Sequence, residues 1–246
     1  MHRFFVTPTA MRDETVLLDA RTAHQLREVL RLGPGAEIMV LDGSGYEYRV
    51  NITHLSRSGV EGRVLSQAQA PGEPGTQITL YQAMLKGEKF EWLLQKGTEI
   101  GISRFAPLLT QRCVRTDRAS LLKKEDRWRR IIQEAAEQAR RARLPALTAP
   151  LELAAACQEA AGQSDLVLFL WEATSGRGLK DALQGLDAAD CRISLFVGPE
   201  GGFAEEEAAL AQAVGAHLVG LGPRILRAET AGLAAAAAIL YERGDM

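Results

Sequence analysis

Three runs in the C-terminal half of the chain, DLVLFLW (165–171), RISLFVG (192–198) and AHLVGLG (216–222), are apolar almost throughout. Short runs of this kind, bounded by turn signals, read as buried strands. Two more strand patterns, ITLYQAML (78–85) and ISRFAPLL (102–109), precede them. Helical patterns fill the gaps. EKFEWLLQKGTEI (88–100) puts Phe90, Leu93, Leu94, Gly97 and Ile100 on one face, and Ser120 to Leu144 reads as one long helix stopped by Pro145. Strands alternating with helices mean a parallel sheet covered on both sides, an α/β fold.

The N-terminal part has a different rhythm. RFFV, VLL, EIMVL, YEYRVNITHL and GVEGRVLS are short strand patterns, with turns at GPG (33–35) and DGSG (42–45) and one helix, TAHQLREVLRL. This part reads as a small β-barrel with one helix. AQAPGEPGT (68–76), with two prolines and two glycines, reads as a linker, which puts the domains at 1–72 and 73–246.

Cys113, Cys157 and Cys191 are odd in number and widely spaced, and the four histidines have no ligand spacing, so neither a disulfide framework nor a metal site is expected. No apolar run approaches the roughly 20 residues of a membrane span, and the N-terminus lacks a secretory apolar core; a cytoplasmic protein without a membrane partner is expected. The net charge of −2 hides a local excess: between Arg112 and Arg143 there are eleven Lys or Arg against five acids. Such a patch suits a polyanion, although a solvated helix face is the plainer reading of charge on a helix.

In an open parallel sheet, ligands sit beyond the carboxyl ends of the strands. Three strand ends here carry unusual residues: LFLWEATSG (168–176), FVGPEGGF (196–203) and GLGPRILRAETAG (220–232). Glycines let a flat ligand reach backbone N–H and C=O groups. A phosphate is the usual guest of a glycine-rich loop, but Glu200, Glu205, Glu206 and Glu207 put negative charge where it would go, and no Gly-Lys-Ser/Thr follows. A neutral or cationic guest fits better. A turn without a ligand, its acids complementing a helix dipole, stays open for GPEGG taken alone.

VGPEGGFAEEE together with LGPRILRAETAG resembles the SPOUT class of methyltransferases, and within it the bacterial family that methylates N3 of a uridine in 16S ribosomal RNA. HQLREVLRLGPG, DGSG, KGEKFEWLLQKGTEIGI, QRC and EAAEQARRARLP extend the resemblance over nearly the whole chain. It implies a deep trefoil knot near 165–246, S-adenosylmethionine as cofactor, a homodimer, a PUA-like RNA-binding barrel at the N-terminus, and the small ribosomal subunit or its RNA as partner. It further implies that Leu170, Trp171, Glu172, Gly198, Pro199, Glu200, Gly201, Gly202, Leu221, Gly222, Ile225 and Leu226 hold the cofactor, with Arg227 and Glu229 beside it. A sulfonium cofactor without phosphate agrees with the charge of the loop. Arg31, Arg112, Glu137, Gln138, Arg140, Arg141 and Arg143 match positions expected to face RNA. Gln111 departs from the family, which carries Glu there.

N3 of uracil is protonated in its neutral form, so its methylation needs a base and a cation. Arg227 is expected to stabilise the developing anion, and Glu229 or Glu200 to accept the proton. An Arg227–Glu229 ion pair that merely fixes the turn is the plainer alternative. No covalent nucleophile is implied, and Cys113 reads as a core residue. Two other classes fit less. A non-enzymatic RNA-binding assembly factor leaves the three strand ends idle, and a nucleotide-dependent oxidoreductase lacks Gly-x-Gly-x-x-Gly after its first strand.

Overall fold

The computed structural model describes residues 1–70, 72–113, 118–172, 178–186 and 190–246. The chain divides into two compact units, Met1–Glu73 with Ala136–Leu144, and Pro74–Ala135 with Pro145–Met246.

The first unit is a strongly curled six-stranded sheet. Its strands are β1 (Arg3–Phe5), β2 (Met11–Arg12), β3 (Thr15–Leu18), β4 (Glu37–Leu41), β5 (Tyr46–Leu55) and β6 (Val60–Gln69), in the order β1-β4-β5-β6-β3-β2. Only β1 and β4 run parallel. Alternation decides the inner face: Val16 and Leu18, Ile38 and Val40, and Val50 and Ile52 point into one core with Phe4 and Leu26. Each such fully buried side chain contributes about 1.5–3 kcal/mol. Helix α1 (Ala20–His24) starts where the Asp19 carboxylate accepts from the Thr22 N–H at 2.8 Å. It continues as a π-helical turn over Gln25–Val29 and stops just before Arg31, which takes a left-handed φ of 54°.

The second unit is a parallel sheet. Its strands are β7 (Gln77–Ala83), β8 (Arg104–Leu109), β9 (Ala146–Leu147), β10 (Leu151–Glu152), β11 (Leu166–Leu170), β12 (Arg192–Val197) and β13 (His217–Val219). The order is β10-β8-β7-β12-β11-β13, with β9 on β8, and every pairing is parallel. Successive residues serve opposite faces. Leu80, Leu168 and Leu195 enter a core with α2 (Lys89–Ile100) and α8 (Ala228–Glu242), while Tyr81, Phe169 and Phe196 enter another with α5 (Leu153–Gln163) and α7 (Glu205–Ala213). The unbroken apolar runs follow from this two-sided burial. In α2 the expected face is buried at Phe90, Leu93, Leu94 and Gly97 and partly so at Ile100. A side chain at Gly97 would meet Phe105 at 2.7 Å. The remaining helices are α3 (Arg118–Leu122), α4 (Glu125–Gln138) and α6 (Leu179–Leu183).

The long helix expected from Ser120 to Leu144 is instead α3 and α4, separated at Lys123 and Lys124 and ended at Gln138. Arg140 adopts φ 58°, and the Arg141 N–H donates back to the Ala136 carbonyl at 2.9 Å. This is a Schellman stop, with arginine in the left-handed position usually held by glycine. The carboxylate of Glu73 stabilises the exit, taking the Arg141 guanidinium at 2.9 and 2.8 Å and the Ala142 N–H at 2.8 Å.

Candidate active site

The carboxyl ends of β11 and β12 and the segment after β13 converge on one cavity of about 910 Å³. All twelve residues expected to hold a cofactor line it, as do Arg227 and Glu229. Residues 173–176 of the first strand-end segment lie outside the described residues.

Backbone geometry explains the glycines of the second loop. Gly202 takes φ 66°, and a side chain at Gly198 would press on Gly202 and Phe203 at 3.2 Å. Gln82, buried on β7, fixes the mouth of this loop by donating from Nε2 to the Gly198 carbonyl at 3.2 Å. On the other side Arg112 donates from Nη1 to the carbonyls of Gly201 (3.1 Å) and Phe203 (3.0 Å). Its neighbour Gln111 donates its N–H to Glu207 Oε1 at 2.9 Å, and Glu207 Oε2 accepts from the Ala204 N–H at 2.8 Å. The segment around QRC therefore braces the glycine loop. Arg112, expected to face RNA, is exposed and turns one guanidinium nitrogen, Nη1, onto that loop.

The acids of this segment divide. Glu200 alone lines the cavity; Glu205 and Glu206 are exposed on the first turn of α7, and Glu207 is buried in the brace. The case against a phosphate therefore rests on fewer charges than the sequence suggested, Glu172, Glu200 and Glu229 facing Lys89, Arg224 and Arg227.

Lys89, in the first turn of α2, was not singled out from the sequence. Its Nζ lies 3.5 Å from Glu200 Oε1 and 3.2 Å from Glu229 Oε1. Burial pushes the Glu200 carboxyl up, but hydrogen bonds from its own N–H and that of Lys86, with the Lys89 charge, outweigh this and hold it below the ordinary carboxylate value. Glu229 pairs with Lys89, and no Arg227–Glu229 ion pair, the expected alternative, is present. Arg227 is the N-cap of α8 and exposed; its carbonyl accepts from the Thr230 and Ala231 N–H groups, and its guanidinium has no hydrogen-bond or ion-pair partner among the described residues.

The residues expected to face RNA are distributed unevenly. Arg31, Gln138, Arg140 and Arg143 are exposed. Arg141 is only 4% exposed and forked onto Glu73, so it is a structural cation rather than a phosphate contact. Glu137 accepts from the Phe5 N–H at 3.2 Å. Arg115, within the basic stretch, lies outside the described residues. Among the described residues no group of three or more His, Cys, Asp or Glu is placed to hold a metal, and no helix is long and apolar enough to cross a membrane.

The family model of the RNA methyltransferase domain matches residues 72–240, and that of the RNA methyltransferase PUA domain matches residues 18–65. A ribosomal RNA small subunit methyltransferase E of Synechocystis is 36% identical over 97% of this chain and 77% of its own length. The chain belongs to the ribosomal RNA small subunit methyltransferase E family. The methyltransferase E of Bacillus subtilis is 30% identical over all of both chains. Among solved structures, a methyltransferase E from Neisseria gonorrhoeae bound to S-adenosylmethionine superposes with a TM-score of 0.85 at 30% identity, covering 98% of each chain. A putative methyltransferase from Legionella pneumophila, also solved with that cofactor, gives 0.88 at 30% identity over 98% of each.

Proposed function

We propose that this chain methylates N3 of a uridine in 16S ribosomal RNA, in the cytoplasm, using S-adenosylmethionine. The observation that carries this reading is the convergence of three strand ends on one cavity lined by matched cations and carboxylates. The residues present fit the cofactor: Gly198 and Gly202 let the loop turn tightly with no side chain of their own over the cavity, Leu170, Trp171, Leu221, Ile225 and Leu226 offer apolar walls, and Glu172 adds a carboxylate to the lining. When bound, it supplies an electrophilic methyl group on positively charged sulfur. A purely binding role leaves this cavity without a use.

The chain's own residues supply the rest. Loss of the N3 proton builds charge on O2 and O4 of the uracil, and the unpartnered guanidinium of Arg227 is free to meet it. Glu200, with its lowered pKa, is a poor proton acceptor. Glu229, in the first turn of α8, is the other expected acceptor that lines the cavity. Exposed Arg31, Arg140 and Arg143 offer phosphate contacts within the first unit.

We further propose the trefoil knot near 165–246 and a homodimer. The dimer reading is supported by the exposed side of α8, where Ala234, Ala238 and Tyr241 (74% exposed) form an apolar stripe, and by Ile225, 88% exposed. Transfer of labelled methyl groups to small-subunit RNA tests the activity, and sedimentation at micromolar concentration tests the dimer. Absent incorporation, or a fully active monomer, contradicts the respective reading.

A further inference from the structure

Every element around Lys89 brings charge to it. The glycine loop contributes Glu200, α8 contributes Glu229, and Arg227, Arg224 and Glu172 line the same cavity. On the segment leading into α2, the Lys86 N–H donates to Glu200 at 3.1 Å and Glu88 is exposed. On α2 itself Glu91 is taken by Arg127 at 2.6 Å. Lys89 therefore stands between two carboxylates that, without it, would place two negative charges beside any group required to become an anion. Both oxygens of Glu229, at 3.2 and 3.3 Å, are directed at its ammonium, which keeps that ammonium at the cavity wall.

We infer that Lys89 is a second cation, beside Arg227, that makes the uracil N3 proton acidic enough to leave, Glu200 and Glu229 serving to hold its ammonium in place; this rests on the methyltransferase reading above. Only the proton moves in this step. It passes from N3 to a carboxylate and then to water, and the electron pair left on N3 is spread over O2 and O4. A unit charge about 5 Å from a developing anion, at an effective dielectric constant near 20, lowers the pKa of the group that ionises by roughly two pH units.

The competing role is a latch. Lys89 ties the start of α2 to the glycine loop and to α8, and a latch would matter to folding and cofactor affinity alone. Single-turnover methylation at saturating RNA and S-adenosylmethionine, followed against pH, separates the two. The wild-type rate is expected to rise with pH and level off. In Lys89→Met the levelling point moves up by roughly one to two pH units, with a loss at pH 7 of about tenfold to a hundredfold. Lys89→Arg restores the profile, and RNA carrying 5-fluorouridine, whose N3 proton is more acidic, restores most of the Lys89→Met rate. Binding gives a second readout: the wild type's preference for fluorouridine RNA over uridine RNA grows with pH, and Lys89→Met loses that growth. A Lys89→Met protein with weaker cofactor binding, an unmoved pH profile and no fluorouridine rescue overturns the inference and leaves only the latch. Should Lys89→Met not fold, Lys89→Gln, which keeps a donor for both carboxylates but no charge, decides: its levelling point should move up by roughly one to two pH units, and an unmoved point overturns the inference. A wild-type protein that methylates no ribosomal RNA refutes the underlying reading instead.

Discussion

Replacing Arg112 by alanine tests whether QRC serves the cofactor loop or the RNA. Its Nη1 donates to the carbonyls of Gly201 and Phe203, and a side chain at Gly201 would lie 3.4 Å from Arg112 Cβ, so the arginine sets the height of that loop above the strand end. A hydrogen bond from a charged donor is worth about 1.5–3 kcal/mol, and two bonds from one exposed nitrogen to neighbouring carbonyls share roughly that amount. If most of the loss falls on the cofactor-competent form of the loop, affinity for S-adenosylmethionine drops about tenfold to a hundredfold. Calorimetric titration of wild type and Arg112→Ala measures this directly, with RNA binding followed over a salt series. The expected result is weaker cofactor binding with an unchanged salt slope. Unchanged cofactor affinity, with RNA binding weakened and its slope reduced by about one, would refute the brace and return Arg112 to the phosphate surface.

Arg141→Ala should cost about 3 kcal/mol in urea unfolding, at the low end of the range for breaking a buried pair because Glu73 keeps part of its surface exposed. Burial raises the Glu73 pKa, and the hydrogen bond and charge of Arg141 more than reverse this, so its folded value lies below the ordinary one. Its contribution is therefore full above the unfolded carboxylate pKa and lost as pH falls through the folded value, and the wild-type advantage over Glu73→Gln should shrink on acidification. Gly198→Val forces a branched side chain onto Gly202 and Phe203 and should abolish calorimetric binding of the cofactor while circular dichroism stays native. Arg140→Ala with Arg143→Ala should lower the RNA salt slope by roughly two, a loss that saturating RNA largely repairs. Arg227→Ala should instead lower the maximal single-turnover rate by on the order of a hundredfold at saturating RNA; a maximal rate that is kept while RNA affinity falls would move Arg227 to the binding surface.

What the sequence revealed and what it hid divide along physical lines. Strands such as β5 and β12 were legible because burial on one or both faces writes itself into residue order. The cavity lining was legible because glycine and proline at strand ends announce backbone geometry and because two motifs resemble a known family. Lys89 was not, since a lysine in the first turn of an amphipathic helix looks like a solvated charge until two carboxylates from distant segments meet it. Arg141 misled for the opposite reason. It sits among exposed arginines in sequence, but the left-handed turn at Arg140 rotates it inward to Glu73. That same turn ended the helix early, and no glycine marked it. The acidic run at 205–207 looked like one field in sequence, but helix geometry sends Glu207 inward and leaves its neighbours in water.

The central claim is the atom that receives the methyl group. Small-subunit ribosomal RNA incubated with the protein and isotopically labelled S-adenosylmethionine, digested to nucleosides and analysed by mass spectrometry against synthetic standards, identifies that atom. The account predicts labelled 3-methyluridine, lost in Arg227→Ala. Label on a ribose oxygen, on uracil C5 or on another base, with no 3-methyluridine, would contradict it.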